Sequence, residues 1–323
     1  MGIRHAIDIP KYFDYYQFSK FLVRLKDLCE ELKNNPQNTK QEAIFNLSQT
    51  EYISVLGILL IKHSSEILRL NNCECKVYYG KPKKDSLMAW FLRAMGVVKD
   101  ESSDNLQAYL DTIRVKINVC LNAKESLKAV NKLIPIIKSD IKPSDTVLKA
   151  LNWALWEIVD NAGVHGYRAM GSMETDYKKP VYFCAFSYKD DIDIAVLDSG
   201  QGVYQSFVNS GKDKYKHIKN NEALALAIKD KESGHPEGSP GFGLFGCSEI
   251  ARKANGKLVI ISGDNTLILK GDKQAISSSC NFDGTMVSLT IPKNANIDLQ
   301  SIFGEKSPIV IESTDDLVGD FNE

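Results

Sequence analysis

The chain has 323 residues, 43% of them hydrophobic, with 40 Lys and Arg against 41 Asp and Glu, a near-neutral balance that fits a globular protein of about two domains. That balance excludes the basic excess of a nucleic-acid binder. The seven cysteines, odd in number and without a C-x-x-C pair, argue for reduced thiols over a disulfide or zinc framework. The opening stretch MGIRHAIDIPKYFDYYQ has no apolar signal core and no apolar run approaches a membrane span, so a soluble cytoplasmic protein without membrane or nucleic-acid partners is expected.

Residues 1–108 alternate elements. The spacing predicts an amphipathic helix over Phe18–Leu32, a strand over Glu42–Leu47, a helix over Gly57–Leu70, a strand over Cys75–Tyr79 and a helix over Asp85–Met95. This order implies an α/β layer with a partly parallel sheet. The stretch AIFNLSQTEYISVLGILLIKHSSEILRL, followed by CKVYYGKP and WFLRAMGV, resembles the STAS domain of anti-sigma-factor antagonists in its hydrophobic pattern. Those antagonists carry a phosphorylatable serine in the turn before a glycine. Here the turn reads Ser54-Val55-Leu56-Gly57, with valine and leucine at the acceptor positions, so a docking module for a protein partner is expected and not a phosphoacceptor. His63, in KHSSEILRL, lacks the acidic neighbour and proline of a sensor-kinase acceptor and is read as structural.

The polar stretch Asp100–Gln107 reads as a linker. Beyond it, residues 109–295 begin with a strand over Arg114–Leu121 and a helix over Glu125–Ile137. The next helix contains WEIVDNAGVHG, Trp156–Gly166, which sets Glu157, Asn161 and His165 four residues apart on one helical face. Val147, Leu148, Leu151, Ala154, Leu155, Ile158 and Val159 supply an apolar stripe, so the polar row sits in a mostly buried helix. Taken alone, this stretch is equally a core helix with a satisfied polar network or a functional site.

A hairpin follows, Val181–Tyr188 and Ile192–Leu197. Its second strand, in IDIAVLDSGQG, runs into Asp198 with Gly200 and Gly202 just beyond. Val203–Pro240 carries Lys212, Lys214, Lys216, Lys219, Lys229 and Lys231, with little apolar content around Ser210–Asn221, and reads as a mobile lid in which no single lysine has an assigned role. GSPGFGLFG, Gly238–Gly246, is a glycine-rich loop opening an apolar helix. Lys257–Ser262, Thr266–Lys270 and Thr285–Ile291 then complete a mixed sheet with helices on one face. Residues 296–323, with one lysine against seven acidic side chains, form an acidic tail.

A carboxylate such as Asp198 accepts a hydrogen bond from the exocyclic amino group of adenine, where guanine presents a carbonyl. Glycines at 200 and 202 let the backbone turn sharply and approach a base. Gly241 and Gly243 precede a helix whose free amides and dipole favour a phosphate.

Together WEIVDNAGVHGY, DSGQG, GSPGFGLFG and GTMVSLTIP, from Ile113 to Pro292, resemble in order and spacing the boxes of the GHKL ATPase superfamily. That superfamily includes gyrase, Hsp90 and the histidine kinases, and the His-Gly ending of the first box is closest in style to the anti-sigma-factor kinases. The resemblance implies a Bergerat-type α/β sandwich using ATP and Mg²⁺. It makes Asn161 the metal ligand and Glu157, one turn away, the catalytic group; Asn161, Asp198, Gly200, Gly202, Gly241, Gly243 and Thr285 bind the nucleotide. His165 meets phosphate or lid, or else caps its helix. The function implied is an ATP·Mg²⁺-binding regulatory switch with slow hydrolysis, as a monomer or homodimer. The alternative is a serine/threonine protein kinase of anti-sigma type acting on a separate antagonist.

Overall fold

The most apolar helix in the N-terminal part is buried nearly all round, and that fixes the layering. In the computed structural model, which describes residues 3–34, 40–78, 118–120, 123–168, 180–187, 190–234 and 242–304, this helix is α2, Val55–Leu70. Val55, Leu56, Ile58, Leu59, Leu60, Ile61 and Leu68 are all buried, as is required of a helix with apolar residues on every side. Ser54 caps it, its hydroxyl accepting from the Gly57 amide at 3.1 Å.

On one side of α2 lies a sheet of strands β1 (Ile3–Asp8), β3 (Gln41–Asn46) and β5 (Cys73–Tyr78), in the order β1-β3-β5. Each pairing is parallel, because the connections run through helices: α1 (Phe18–Asn34) after β1 and α2 after β3. A two-residue parallel bridge, β2 (Tyr12–Phe13) with β4 (Tyr52–Ile53), ties the two connections together. On the other side of α1 and α2 lies a second sheet. It comprises β6 (Asn118–Cys120), β7 (Val181–Ser187), β8 (Asp191–Asp198), β9 (Lys257–Lys270) and β10 (Lys273–Pro292), in the order β6-β7-β8-β10-β9. α1 packs on β10, and α2 on β7, β8 and β10. The far face of this sheet carries the remaining helices: α3 (Ala123–Ile136), α4 (Asp145–Arg168), α5 (Gly202–Val208), α6 (Asn220–Ala227) and α7 (Gly243–Lys253). A short α8 (Leu299–Phe303) packs on α7.

Several expectations change. The second sheet is not mixed: every pairing among the described residues is antiparallel, with β7 joined to β8 and β9 to β10 through short connections, and β6 to β7 and β8 to β10 pairing across long ones. Nor are its helices confined to one face, because α1 and α2 cover the other. The N-terminal sheet is wholly parallel among the described residues, not partly so. β9 runs unbroken where two strands were expected. Gly263, with φ of +57°, and register shifts on either side of Phe282 absorb the irregularity. The segments before and after the expected boundary at residue 108 share one hydrophobic core. The expected linker, the helix over 85–95 and most of the acidic tail lie outside the described residues. No helix among those described is long and apolar enough to cross a membrane.

Side-chain alternation along β8 sends Asp198 and Val196 to the α4 face and Asp193 to the face covered by the N-terminal unit. There the Tyr182 hydroxyl donates to Glu66 of α2, and Asp193 Oδ1 accepts from Ser288 Oγ at 2.7 Å. Burial pushes the Asp193 carboxyl up from 3.8 to about 6, against the Ser288 hydrogen bond and the Lys257 charge, which pull it down. The folded value lies above the unfolded one, so the stabilisation is full below the ordinary aspartate range and is lost as pH rises through about 6. Asp193→Asn should therefore flatten the fall in stability between pH 4 and 7 by an amount on the order of 2 kcal/mol, read from urea midpoints across that range. An unchanged slope would mean that Asp193 is ionised throughout.

Candidate functional site

β8 ends at Asp198, and the chain then turns through Ser199-Gly200-Gln201-Gly202 into α5. The turn is fixed from three sides. Asp198 Oδ1 accepts from the Gly200 amide at 2.7 Å. Gly202 has φ of +76°, and a Cβ there would stand 2.8 Å from Ser262 Oγ, which accepts from the Val203 amide at 2.9 Å and donates to the Gly284 carbonyl at 2.8 Å. Gly284, with φ of +131°, lies so close beneath that a Cβ would overlap the Asp198 carbonyl oxygen. The next residue, Thr285, pairs with Asp198 in the β8–β10 register.

α4 crosses above this floor and presents Glu157 and Asn161, one turn apart as their spacing requires. The N-terminus of α7 comes in against both. A Cβ on Gly243 would stand 2.5 Å from Asn161 Nδ2 and 3.1 Å from Glu157 Oε2, so glycine is what lets the helix end approach this closely. Its first amides lack partners within the helix and its positive end faces the same space.

Between these elements lies an open cleft. Six of the nine residues singled out from sequence line it: Glu157, Asn161, Asp198, Gly202, Gly243 and Thr285. Gly200 acts through its amide bond to Asp198 and faces an adjoining hollow. Gly241 and the side chain of His165 lie outside the described residues. The cleft has an apolar half, made by Ile158, Ala162, Val196, Val203, Phe207 and Val287, and a polar end at Glu157, Asn161 and the start of α7. Burial pushes the Glu157 carboxyl up to about 6, and the nearby Asp160 charge adds to this. The same burial raises the Cys247 thiol of α7 well above its usual range, with Glu157 adding to it.

The segment expected to be a lysine-rich mobile lid is, over residues 203–234, a folded element. Tyr215 is buried among the lysines, with its ring centroid 4.7 Å from that of Phe207, and α5 and α6 pack on β9 and β10. Two lysines acquire roles there. Lys214 Nζ lies 2.7 Å from Glu232 Oε2, and Lys212 Nζ donates to the Ser233 carbonyl at 2.9 Å. These bonds hold Glu232, Ser233 and Gly234 along the cleft wall, where a Cβ on Gly234 would collide with Ser206. Burial would raise the Glu232 carboxyl, but hydrogen bonds from Lys214 and Tyr215 hold it below its usual range. Ser206, Glu232 and Ser233, and Ser262 behind the turn, are site residues that the sequence pattern did not mark.

Among the described residues no group of three or more His, Cys, Asp or Glu is placed to hold a metal ion. Magnesium held largely by phosphates and water needs no such group; one neutral amide oxygen such as that of Asn161 suffices from the protein. No protein-family description and no curated protein matches this chain.

Proposed function

We propose that the chain binds ATP·Mg²⁺ in the cleft between α4, α7 and β8–β10 and acts as a nucleotide-dependent switch of GHKL type with slow hydrolysis. The observation that carries this is convergence: residues from four separate stretches, Glu157 with Asn161, Asp198 with Gly202, Gly243, and Thr285, line one cleft. The residues fit such a ligand. Asp198 accepts from the adenine amino group while Val196, Val287, Ile158 and Ala162 cover the ring. The close approach at Gly243 brings the first amides of α7, which have no partner within the helix, to the polar end, where phosphates bind. Asn161 would hold the metal, and a Mg²⁺ ion held there would supply positive charge to the phosphates. Glu157 orients the attacking water and takes its proton, and a carboxyl at about 6 is mostly ionised at pH 7 yet basic enough for that task.

The histidine-kinase reading loses its acceptor, because His63 is 7% exposed within α2. A docking role for the N-terminal unit is narrowed too. α1 and α2 are engaged by the second sheet, so a partner would meet other surfaces of that unit.

Incubation with ATP labelled at the γ-phosphate separates the alternatives. The switch reading predicts retained nucleotide, slow release of free phosphate and no stoichiometric phosphate on Ser54, whose hydroxyl is engaged in capping α2. Efficient label transfer to a separate protein would favour the serine/threonine kinase instead. A protein that retains no nucleotide would end both readings.

A further inference from the structure

The turn that carries Asp198 has a fourth support, and it comes from the N-terminal unit. His63 of α2 lies edge-on to the Tyr182 ring, with centroids 5.5 Å apart and planes at 70°, and edge-on to the Phe282 ring at 5.9 Å and 71°. Its Nε2 stands 3.4 Å from Ser199 Oγ. Ser199 is the residue between Asp198 and Gly200, and Phe282 lies two residues before Gly284, on which the turn rests. One imidazole therefore touches both halves of the turn's support. Ser262 and Gly284 belong to the same sheet as Asp198; His63 is 136 residues from Ser199 in sequence and sits on a helix of the other unit.

We infer that His63 is a positioning residue, through which the N-terminal unit sets the adenine-end turn and so the nucleotide affinity of the cleft. The inference rests on the ATP reading for its functional consequence, but its structural half stands without nucleotide. By linkage, a nucleotide that prefers one position of the turn favours one position of α2, and anything that shifts α2 changes nucleotide affinity in return.

Three variants of the full chain test it: His63→Leu, which keeps bulk and loses the polar atom; His63→Gln, which keeps a polar group; and Ser199→Ala. A hydrogen bond as long as 3.4 Å is worth no more than the low end of the neutral range, which predicts that His63→Leu and Ser199→Ala each weaken ATP·Mg²⁺ binding about 2–4-fold. The double variant should be no weaker than either single one, and His63→Gln should recover most of the loss. Hydrogen exchange on the nucleotide-free protein supplies the second readout. The Gly200 and Val203 amides, bonded to Asp198 and Ser262, should lose protection in His63→Leu and regain it in His63→Gln, while amides within β7 stay protected. If the parent protein binds no ATP, the proposed function fails, and the exchange pattern still decides whether His63 positions the turn. Unchanged protection at Gly200 and Val203 in His63→Leu would overturn the inference, as would additive losses in the double variant.

Discussion

Replacing Glu157 with alanine is expected to leave ATP affinity within a few-fold of the parent and to lower phosphate release by about 10²–10⁴, the usual contribution of a positioned general base. Glu157 lines the cleft one helical turn from Asn161, where the proposed function puts the attacking water and little of the nucleotide itself. Asn161→Ala should behave differently. If Asn161 holds Mg²⁺ as proposed, Mg²⁺-dependent binding and turnover should fall together. The pH dependence separates these roles further. Burial raises the Glu157 carboxyl to about 6, so the base is neutral below that value and ionised above it, and phosphate release should climb as pH rises through about 6. Glu157→Gln should abolish that limb. In stability the sign is the reverse: a raised carboxyl stabilises most when protonated, and its contribution is lost as pH rises through the same value. Loss of the Glu157 carboxylate should thus leave the melting temperature at pH 8 unchanged or slightly higher. If Glu157 and Asn161 were members of a satisfied core network, both substitutions would instead lower the melting temperature with little specific effect on turnover.

The second large effect concerns the base. Asp198→Asn should weaken ATP binding by about 1.5–3 kcal/mol, the scale of a hydrogen bond to a charged group, which is roughly tenfold to more than a hundredfold in affinity. The substitution is conservative for the turn, since an asparagine oxygen can still accept from the Gly200 amide as Asp198 Oδ1 does. Hydrogen exchange at Gly200 should therefore be preserved while calorimetry reports weaker ATP binding. Loss of both together would assign Asp198 to the turn's structure instead.

Much of the site was legible because local rules specify it. Four-residue spacing puts Glu157 and Asn161 on one face of a helix whatever surrounds it, and a strand ending in Asp-x-Gly-x-Gly must turn there. Gly202 and Gly243 do sit where a side chain would not fit, but the atoms that a Cβ would meet, Ser262 Oγ and Asn161 Nδ2, are ones the glycine pattern did not specify. The residues that were missed depend on what packs against what. Ser262 acts through a carbonyl 22 residues away and His63 through a hydroxyl 136 residues away, distances over which periodicity carries no information. The buried Tyr215 was hidden among lysines, because one aromatic ring in a polar stretch has no period to reveal its face. Coverage of the second sheet on both sides left one signal that went unread. In β8, residues 192–198 are buried in succession, the pattern of a strand packed on two faces, where a half-exposed strand would alternate. The parallel and antiparallel halves of the molecule follow in part from connection length. Helical crossovers impose the first; in the second, short connections set two pairings, and the β6–β7 and β8–β10 pairings depend on which strands become neighbours across long stretches of chain.

Calorimetric titration of the unmodified chain with ATP and with GTP, each in the presence of Mg²⁺, tests the central claim most directly. The Asp198 carboxylate at the floor of the cleft predicts saturable ATP binding at least about tenfold tighter than GTP binding, the discrimination available from one hydrogen bond to a charged group. Equal affinity for the two nucleotides, or binding of neither, would contradict it.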